Sequence, residues 1–502
     1  MFKYTLIVFS WVYSFFANSQ TYENGTNLFD NSIVHRIDVT FTQSNFWDSL
    51  NYYYNDALTN GGDVQYMQTV VSIDGNEFDS VGFKQKGFYS NWGASMTSQK
   101  LPFKINLAKY VDGQKYDGLK KINLSNGFED PSMLRDALAY KFMRDAGIPS
   151  PRTAYAKVYL NGTYWGLYIL VEELDKNFLQ NWYANKDGNL YKCINNTSLS
   201  WQGTDVVNYT DEFDLQTNKT TNDWSQFTRF VDIINNSGTH FIDSLPMVLD
   251  VQNYLNVLAA DVIMFNWDSY YDHGRNFFLY DDPDENKINW LPWDYNLAFS
   301  NSETNLIIDY SGVEPKPLVQ KIQANPTLRT MYFNSLCILM DNYFTLANLE
   351  PFIDQTAALI RPDLLTDNNK FFSISDFDTN LDSDVVGGFG SYKGLTSFIT
   401  DRQNNVSSQL NSYNHTCSGL SVNENTLVDF EIYPNPFETS FTVHSEKTIE
   451  SIVIFAITGQ KIIELTPQSQ EEVISLENME KGTYFVRVQS NGIEKTLTVI
   501  KN

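Results

Sequence analysis

Alternating apolar and polar residues predict β-hairpins in the first third of the chain. Two pairs of alternating runs each flank a turn dipeptide. The runs 68–73 and 80–86 lie on either side of Asp74-Gly75, and the runs 153–160 and 163–171 lie on either side of Asn161-Gly162. Asp-Gly and Asn-Gly favour type I′ turns, whose twist matches that of the flanking strands. We therefore predict two antiparallel hairpins.

Apolar residues at helical spacing mark two further segments. In the first, Leu134, Leu138 and Phe142 share one face. Asp130 is placed to cap this helix and Gly147 to end it. The second helix starts near residue 251, and its stripe consists of Leu255, Leu258, Val262 and Phe265. Because strands and helices mix from about residue 32 to 413, this part is predicted to be α+β.

The pattern becomes purely strand-like from about residue 430. Short alternating segments are separated there by turn residues such as Thr458-Gly459 and Asn491-Gly492. Closely spaced short strands predict a small all-β sandwich of the immunoglobulin-like kind. The polar stretch before them predicts a linker at 416–429.

Composition limits the size of the units and the partners. A chain of 502 residues is expected to form two to four folded units of roughly 150 residues each. The formal net charge of −25 would repel the phosphates of nucleic acids and the anionic surface of a membrane. We therefore expect no nucleic-acid partner.

The N-terminal residues 1–19 have the pattern of a secretory signal peptide. Lys3 supplies a positive charge, residues 4–16 are mostly apolar, and small residues precede the expected cleavage site. Later apolar runs are too short to cross a bilayer. We predict an exported protein without a transmembrane segment.

Three cysteines lie far apart, which excludes a disulfide-dense scaffold. Cys337 lies in an apolar helical stretch and is predicted to be a buried free thiol. Cys193 and Cys417 can pair only if the fold brings them together.

Acidic and amide residues surround a third predicted hairpin. The second helix leads into a loop that contains Asp268 and Asn276, and Asp294 follows the second strand of the hairpin. Pairing of the two strands, 277–280 with 287–291, would place Asn276 near Asp294. Their oxygens suit Mg²⁺, which takes few protein ligands and keeps waters for a substrate's phosphates. In a chain this acidic, solvated surface aspartates are the alternative.

Eight motifs occur in a fixed order between about residue 35 and 413. They are 86–90 (KGFYS), 100–105 (KLPFKI), 133–140 (MLRDALAY), 162–168 (GTYWGLY), 171–175 (VEELD), 266–268 (NWD), 276–280 (NFFLY) and 292–299 (PWDYNLAF). Together they resemble the spore-coat protein H (CotH) kinase family. The resemblance implies an atypical protein-kinase-like fold of two lobes, in a domain that we place at 20–415. It also implies use of ATP and Mg²⁺.

The resemblance implies a role for each of four residues. Lys104 would bind the α- and β-phosphates of ATP, and Asn276 and Asp294 would hold Mg²⁺. Asp268 would act as general base, with Asp272 as the alternative because ordinary kinase spacing falls between the two.

Two positions leave questions open. Lys86-Gly87 stands where the family often has Arg-Gly, and a lysine makes only point-charge contacts with phosphate. Glu172 and Glu173 lie either near the nucleoside or at a helix N-terminus.

The segment 430–502 contains three further motifs, 433–436 (YPNP), 457–461 (ITGQK) and 482–486 (GTYFV), with Lys501 near the end. With these motifs it resembles the C-terminal sorting domain of the Bacteroidota type IX secretion system. The resemblance implies recognition by the type IX secretion machinery and a location at the cell surface or outside the cell.

Two functions follow. The first is a secreted Mg²⁺-dependent kinase that transfers phosphate from ATP to hydroxyl groups of an acceptor protein. The second is a non-catalytic, kinase-like surface, adhesion or matrix protein. The chain has no Gly-x-Ser-x-Gly and no His-Glu-x-x-His motif to support a hydrolase.

Overall fold

The computed structural model describes residues 24–388, 390–417, 430–456, 461–477, 479, 481–490 and 493–501. The predicted signal peptide, most of the predicted linker and the turns at 458–459 and 491–492 lie outside these residues. Contacts divide the chain into two units, Met1–Leu420 and Ser421–Asn502, and each is described by itself.

Seven strands of the first unit form a closed barrel. They are β1 (Val34–Thr40), β2 (Met67–Ile73), β3 (Asn76–Gln85), β4 (Phe103–Asn106), β5 (Lys121–Ser125), β6 (Thr153–Leu160) and β7 (Thr163–Val171). Their order is β1-β2-β3-β4-β5-β7-β6, and parallel pairing of β1 with β6 closes the barrel. Apolar side chains such as Ile37, Val81 and Phe103 fill its interior.

Both hairpins predicted in this region are confirmed. β2 pairs with β3, and β6 pairs with β7, in antiparallel register. The turn residues Asp74, Gly75, Asn161 and Gly162 have φ values of 49°, 85°, 47° and 79°. Positive φ at both central residues is what a type I′ turn requires.

Helices make up much of the remaining first unit. They are α1 (Phe46–Asn60), α2 (Tyr89–Ser95), α3 (Arg135–Asp145), α4 (Lys176–Trp182), α5 (Ser225–Asn236), α6 (Phe241–Ser244), α7 (Val251–Ile263), α8 (Pro317–Ala324), α9 (Pro326–Asn342), α10 (Leu346–Thr366), α11 (Ile374–Asn380) and α12 (Leu395–Ser412). α7 begins where the sequence pattern predicts. Within the described part of the chain, no helix is both long and apolar enough to span a membrane.

α3 begins later than predicted. The N-cap residue is Leu134 rather than Asp130, and the Asp130 carboxylate accepts the N–H groups of Ser132 at 3.0 Å and of Arg135, the first residue of the helix, at 2.8 Å. Met133, between them, has a φ of 57°, which a right-handed helix excludes. The segment from Asp130 therefore forms a turn, and the helix starts at Arg135.

A second sheet contains the third predicted hairpin. Its strands are β8 (Asn189–Cys193), β9 (Phe213–Leu215), β10 (Phe277–Asp282) and β11 (Lys287–Pro292), in the order β11-β10-β8-β9. A separate short hairpin pairs β12 (Val385–Gly387) with β13 (Gly390–Tyr392). Packing of helices against the four-stranded sheet creates an apolar core distinct from that of the barrel.

The prediction that Cys337 is a free thiol is wrong. Cys337 in α9 forms a disulfide with Cys417, and Cys193 is the buried free cysteine. The segment after α12 folds back over α9, where the Tyr413 and His415 rings lie 5.4 Å and 5.3 Å from that of Phe333. This return of the chain brings Cys417 to α9.

We expect Cys417→Ser to lower the free energy of unfolding by about 2–4 kcal/mol, because the disulfide restricts the unfolded chain. Chemical denaturation of the wild type and the variant measures the difference. Reduction should destabilise the wild type but not the variant. An equal response of both proteins to reduction would contradict the pairing.

The C-terminal unit is all-β, as predicted. Its strands are β14 (Phe430–Tyr433), β15 (Ser440–Ala456), β16 (Lys461–Leu465), β17 (Ser469–Ser475), β18 (Gly482–Ser490) and β19 (Ile493–Lys501). The long β15 pairs with β14, β16, β17 and β18, and β19 pairs with β18. The immunoglobulin-like sandwich is not confirmed, because these strands form one connected sheet.

Candidate functional site

A cavity of about 460 Å³ lies between the barrel and the four-stranded sheet of the first unit. The barrel side contributes Lys86 and Lys104 to its wall, and the opposite side contributes Lys192, Asn276 and Asp294. Three of the four predicted site residues therefore line one cavity.

The third hairpin places Asn276 and Asp294 at the same end of this cavity. Phe277 is opposite Pro292 in the β10–β11 pair, and the N–H of Trp293 donates to the carbonyl of Asn276 at 3.2 Å. Asn276 and Asp294 have φ values of 60° and 66°. Such backbone strain, of order 1–3 kcal/mol per residue, persists where the surrounding structure enforces it and is common at functional sites. The proximity predicted from the hairpin is present, and metal binding stays a prediction.

Asp268 lies next to Asn276. Its Oδ2 accepts a hydrogen bond from Nδ2 of Asn276 at 2.9 Å, and its Oδ1 accepts one from Nε of Arg275 at 2.6 Å. Burial raises the pKa of Asp268, and Arg275 offsets part of this rise. A raised pKa makes a carboxylate a better proton acceptor. Asp272, the alternative base, is exposed, and its carboxylate lies 3.5 Å from Nδ1 of His273. Of the two candidate bases, Asp268 is the one that is hydrogen-bonded to Asn276.

Two side chains of α3 fix the backbone at Asp294. Oη of Tyr140 accepts the N–H of Asp294, and Oδ1 of Asp136 accepts the N–H of Tyr295, both at 2.8 Å. Residues four apart share a helix face, so one face of α3 holds both N–H groups. Sequence reasoning missed this role of Asp136 and Tyr140. Asp136 and Tyr140 share their helix face with the apolar residues Ala139 and Met143, and a polar pair on such a face was the available signal.

The oxygens around Asp294 fit Mg²⁺. In the described residues, the Asp294 carboxylate has no hydrogen-bond donor and no ion pair, and the amide nitrogen of Asn276 is bonded to Asp268, which leaves the Asn276 oxygen available. Burial, followed by the charge of Asp294, raises the pKa of Asp136 to about 7. A cation beside Asp294 would reduce this repulsion.

No group of three or more His, Cys, Asp and Glu residues suited to a metal occurs in the part of the chain that the structure describes. Mg²⁺ needs only one or two protein carboxylates, because water and phosphate oxygens complete its octahedron.

Lys104 is ion-paired inside the cavity. Its Nζ lies 2.6 Å from Oε1 of Glu173, while Lys121 lies 3.5 Å from the same atom and Asn123 donates to Oε2 at 2.8 Å. Burial would raise the pKa of Glu173, but Lys104 and Lys121 outweigh it and hold the carboxylate ionised. Glu173 therefore belongs to the cavity, which sequence reasoning left open.

Glu172 points to a different network. Its carboxylate is buried and accepts hydrogen bonds from Nε of Arg152 at 3.0 Å and from Nη2 at 2.5 Å. Arg135 is also buried. Its guanidinium donates to the carbonyls of Ala298 and Phe299. Both Glu172 and Arg135 are thus structural in this fold.

Comparison with known families agrees with the motifs. Residues 83–406 match the family described as CotH kinase protein, and residues 431–502 match the secretion system C-terminal sorting domain. The chain belongs to the CotH kinase protein family. Its C-terminal sorting domain implies export by the type IX secretion machinery.

Two curated relatives are spore-coat proteins. The chain is 26% identical over 281 residues to the inner spore coat protein H of Bacillus subtilis, covering 54% of this chain and 76% of that protein. It is 20% identical over 259 residues to the spore coat protein homolog 1 of Rhizopus delemar, covering 48% of this chain and 42% of that protein.

Among solved structures, the twitchin kinase region from C. elegans aligns over 80% of this chain and 72% of that chain. The sequence identity is 9% and the TM-score is 0.18, which is too low to establish a shared fold.

Proposed function

We propose that the protein is a secreted atypical kinase that transfers the γ-phosphoryl group of ATP to hydroxyl groups of a protein acceptor. The observation that carries this proposal is the convergence of Asn276, Asp294 and the lysines on one cavity, with Asp268 hydrogen-bonded to Asn276. The barrel and the helical part would correspond to the two lobes of a kinase. Lys104, held by Glu173, would contact the α- and β-phosphates, as in kinases that use a Lys–Glu pair.

The reaction would be an in-line phosphoryl transfer. The bond between the γ-phosphorus and the β–γ bridging oxygen breaks, the acceptor oxygen bonds to the γ-phosphorus, and ADP leaves. Asp268 would accept the proton of the acceptor hydroxyl. Asn276 and Asp294 would hold Mg²⁺, which when bound neutralises charge on the phosphate oxygens.

Binding of Mg-ATP tests this proposal without assuming an acceptor. ATP with Mg²⁺ should raise the melting temperature of the purified protein, and omission of Mg²⁺ should weaken the effect because the phosphates and Asp294 then repel each other. No stabilisation by ATP at any Mg²⁺ concentration would favour the non-catalytic surface or matrix protein instead.

The same substitution, made in turn at Asp268 and at Asp272, tests which of the two carboxylates is the general base. We expect Asp268→Asn to lower the rate of transfer by about 10²–10⁴-fold, because the amide cannot accept the proton although it still fits beside Asn276. Asp272→Asn, at the exposed neighbouring position, should leave the rate unchanged. Transfer to a fixed acceptor measures both. The reverse order of effects would assign the base to Asp272.

The sorting domain supports export of this kinase. We propose that removal of residues 431–502 leaves the protein inside the producing cell, because the secretion machinery then lacks its recognition element. Immunodetection in cell and medium fractions measures the distribution. An unchanged amount at the surface and in the medium would contradict this role.

A further inference from the structure

Three lysines of the cavity wall, Lys84, Lys86 and Lys192, have no acidic partner within the described residues, and Lys84 lies instead over Tyr66, with its Nζ 4.7 Å from the ring centroid. Lys104 and Lys121 are ion-paired with Glu173. In the described residues, no carboxylate oxygen lies within the 4.0 Å ion-pair distance of Nζ of Lys86 or Lys192. A cation enclosed by protein without a counter-charge is unfavourable, and a bound anion removes that cost.

Lys86 comes from the barrel side. It directly follows β3, and its Nζ lies 3.4 Å from Oδ1 of Asn123. The same Nζ is 5.8 Å from the ring centroid of Trp293, the residue before Asp294. Lys86 thus extends from the barrel towards the end of the cavity that contains Asp294.

Lys192 comes from the opposite side. It lies in β8 directly opposite Phe278 of β10, and its Nζ is 5.9 Å from the Phe278 ring centroid. Phe278 is two residues after Asn276, and both line the cavity. Lys192 is therefore at the same end as the predicted metal ligands, on a different strand.

Two other cations of the site are already paired. Lys104 is held by Glu173. Arg275 is already ion-paired with Asp268. Lys86 and Lys192 are thus the two cations near Asp294 that remain available to a ligand.

We infer that Lys86 and Lys192 bind the β- and γ-phosphates of the nucleotide from opposite sides of the cavity. This inference rests on the proposed function and adds the residues that contact the transferred group. Two ammonium groups fixed beside the γ-phosphate stabilise the charge that develops on its oxygens during transfer. Lys86 and Lys192 then act as two point charges. Together they replace the bidentate contact with phosphate that the guanidinium of an arginine at position 86 would make.

Equilibrium binding to the full-length protein with Mg²⁺ tests the inference. The probes are ATP, ADP, adenosine and inorganic triphosphate, and the variants are Lys86→Met and Lys192→Met. Lys287→Met is the matched control, because Lys287 is at the other end of β11 with a side chain that is 35% exposed. Melting temperatures of the unliganded proteins show whether each variant is folded.

We expect each lysine variant to weaken binding of ATP and of triphosphate by about tenfold or more, as loss of a charge-assisted contact would. Adenosine binding should not change, and Lys287→Met should bind all probes like the wild type. Lys192→Met should reduce the preference for ATP over ADP.

The outcomes separate this inference from the proposed function. Unchanged ATP and triphosphate affinity in both variants, with clear binding by the wild type, would overturn the two-lysine site and leave the kinase proposal standing. Lysine-dependent triphosphate binding without any transfer would support the site and contradict the kinase proposal. A wild-type protein that binds neither ATP nor triphosphate would contradict both.

Discussion

Asp294→Asn is expected to lower the rate of phosphoryl transfer by at least about 10³-fold, because the loss of a metal-binding carboxylate removes several kcal/mol of transition-state stabilisation. Asparagine is the informative replacement at this position. It keeps the size of the side chain and tolerates the φ of 66° better than alanine does. The N–H bond to Tyr140 does not depend on the side chain and should persist.

The control for this prediction is Asp281→Asn, in the same hairpin but at the far end of β10. Initial rates of transfer at saturating Mg²⁺ and ATP, measured for both variants, give the comparison. The control should retain the wild-type rate. Activity of Asp294→Asn within a few-fold of the wild type would remove Asp294 from the proposed metal site.

Lys100→Met is expected to lower the free energy of unfolding by about 3–5 kcal/mol, because it leaves a buried carboxylate without its cation. Nζ of Lys100 lies 2.7 Å from Oδ2 of Asp367, and both side chains are fully buried. Asp367 follows α10 and also accepts the N–H of Leu167 in the barrel at 3.0 Å. The pair therefore ties the end of α10 to the barrel.

A second ion pair between the barrel and α10 provides the control. Lys157 of β6 lies 3.2 Å from Asp363 of α10, with side chains that are 31% and 23% exposed. Because water solvates these charges in the folded protein, Lys157→Met should cost at most about 1 kcal/mol. Urea denaturation of both variants measures the two costs. Equal decreases in the free energy of unfolding would show that burial of Lys100 does not determine its contribution to stability.

Local patterns predicted the parts of the fold that depend on neighbouring residues. The turns at Asp74-Gly75 and Asn161-Gly162 indicate which neighbouring strands pair, because a type I′ turn joins two adjacent antiparallel strands. The proximity of Asn276 and Asp294 followed in the same way, because a single short hairpin separates them.

Contacts between distant segments were not predictable in this way. Glu173 meets Lys104 across 69 residues, and the N–H of Tyr295 meets Asp136 across 159. Spacing along the chain carries no information about such pairs without the barrel topology. The disulfide was missed for the same reason, since an apolar stretch around Cys337 indicates burial but not what packs against it.

Competing local interactions explain the remaining differences. Asp130 has the residue type of a helix cap but lies five residues before α3, and its carboxylate accepts the N–H groups of Ser132 in the preceding turn and of Arg135, the first residue of the helix. In the C-terminal unit, the number and alternation of strands were evident from the sequence. Their arrangement depends on β15, which is long enough to pair with four other strands.

Transfer of radiolabel from ATP to a protein acceptor tests the central claim most directly. The wild-type protein is incubated with Mg²⁺ and ATP labelled at either the γ- or the α-phosphate, and protein-bound label is measured. A kinase with the proposed site transfers label from the γ-position alone, and Asp294→Asn abolishes it. Label from the α-position, or label that persists in Asp294→Asn, would contradict the account.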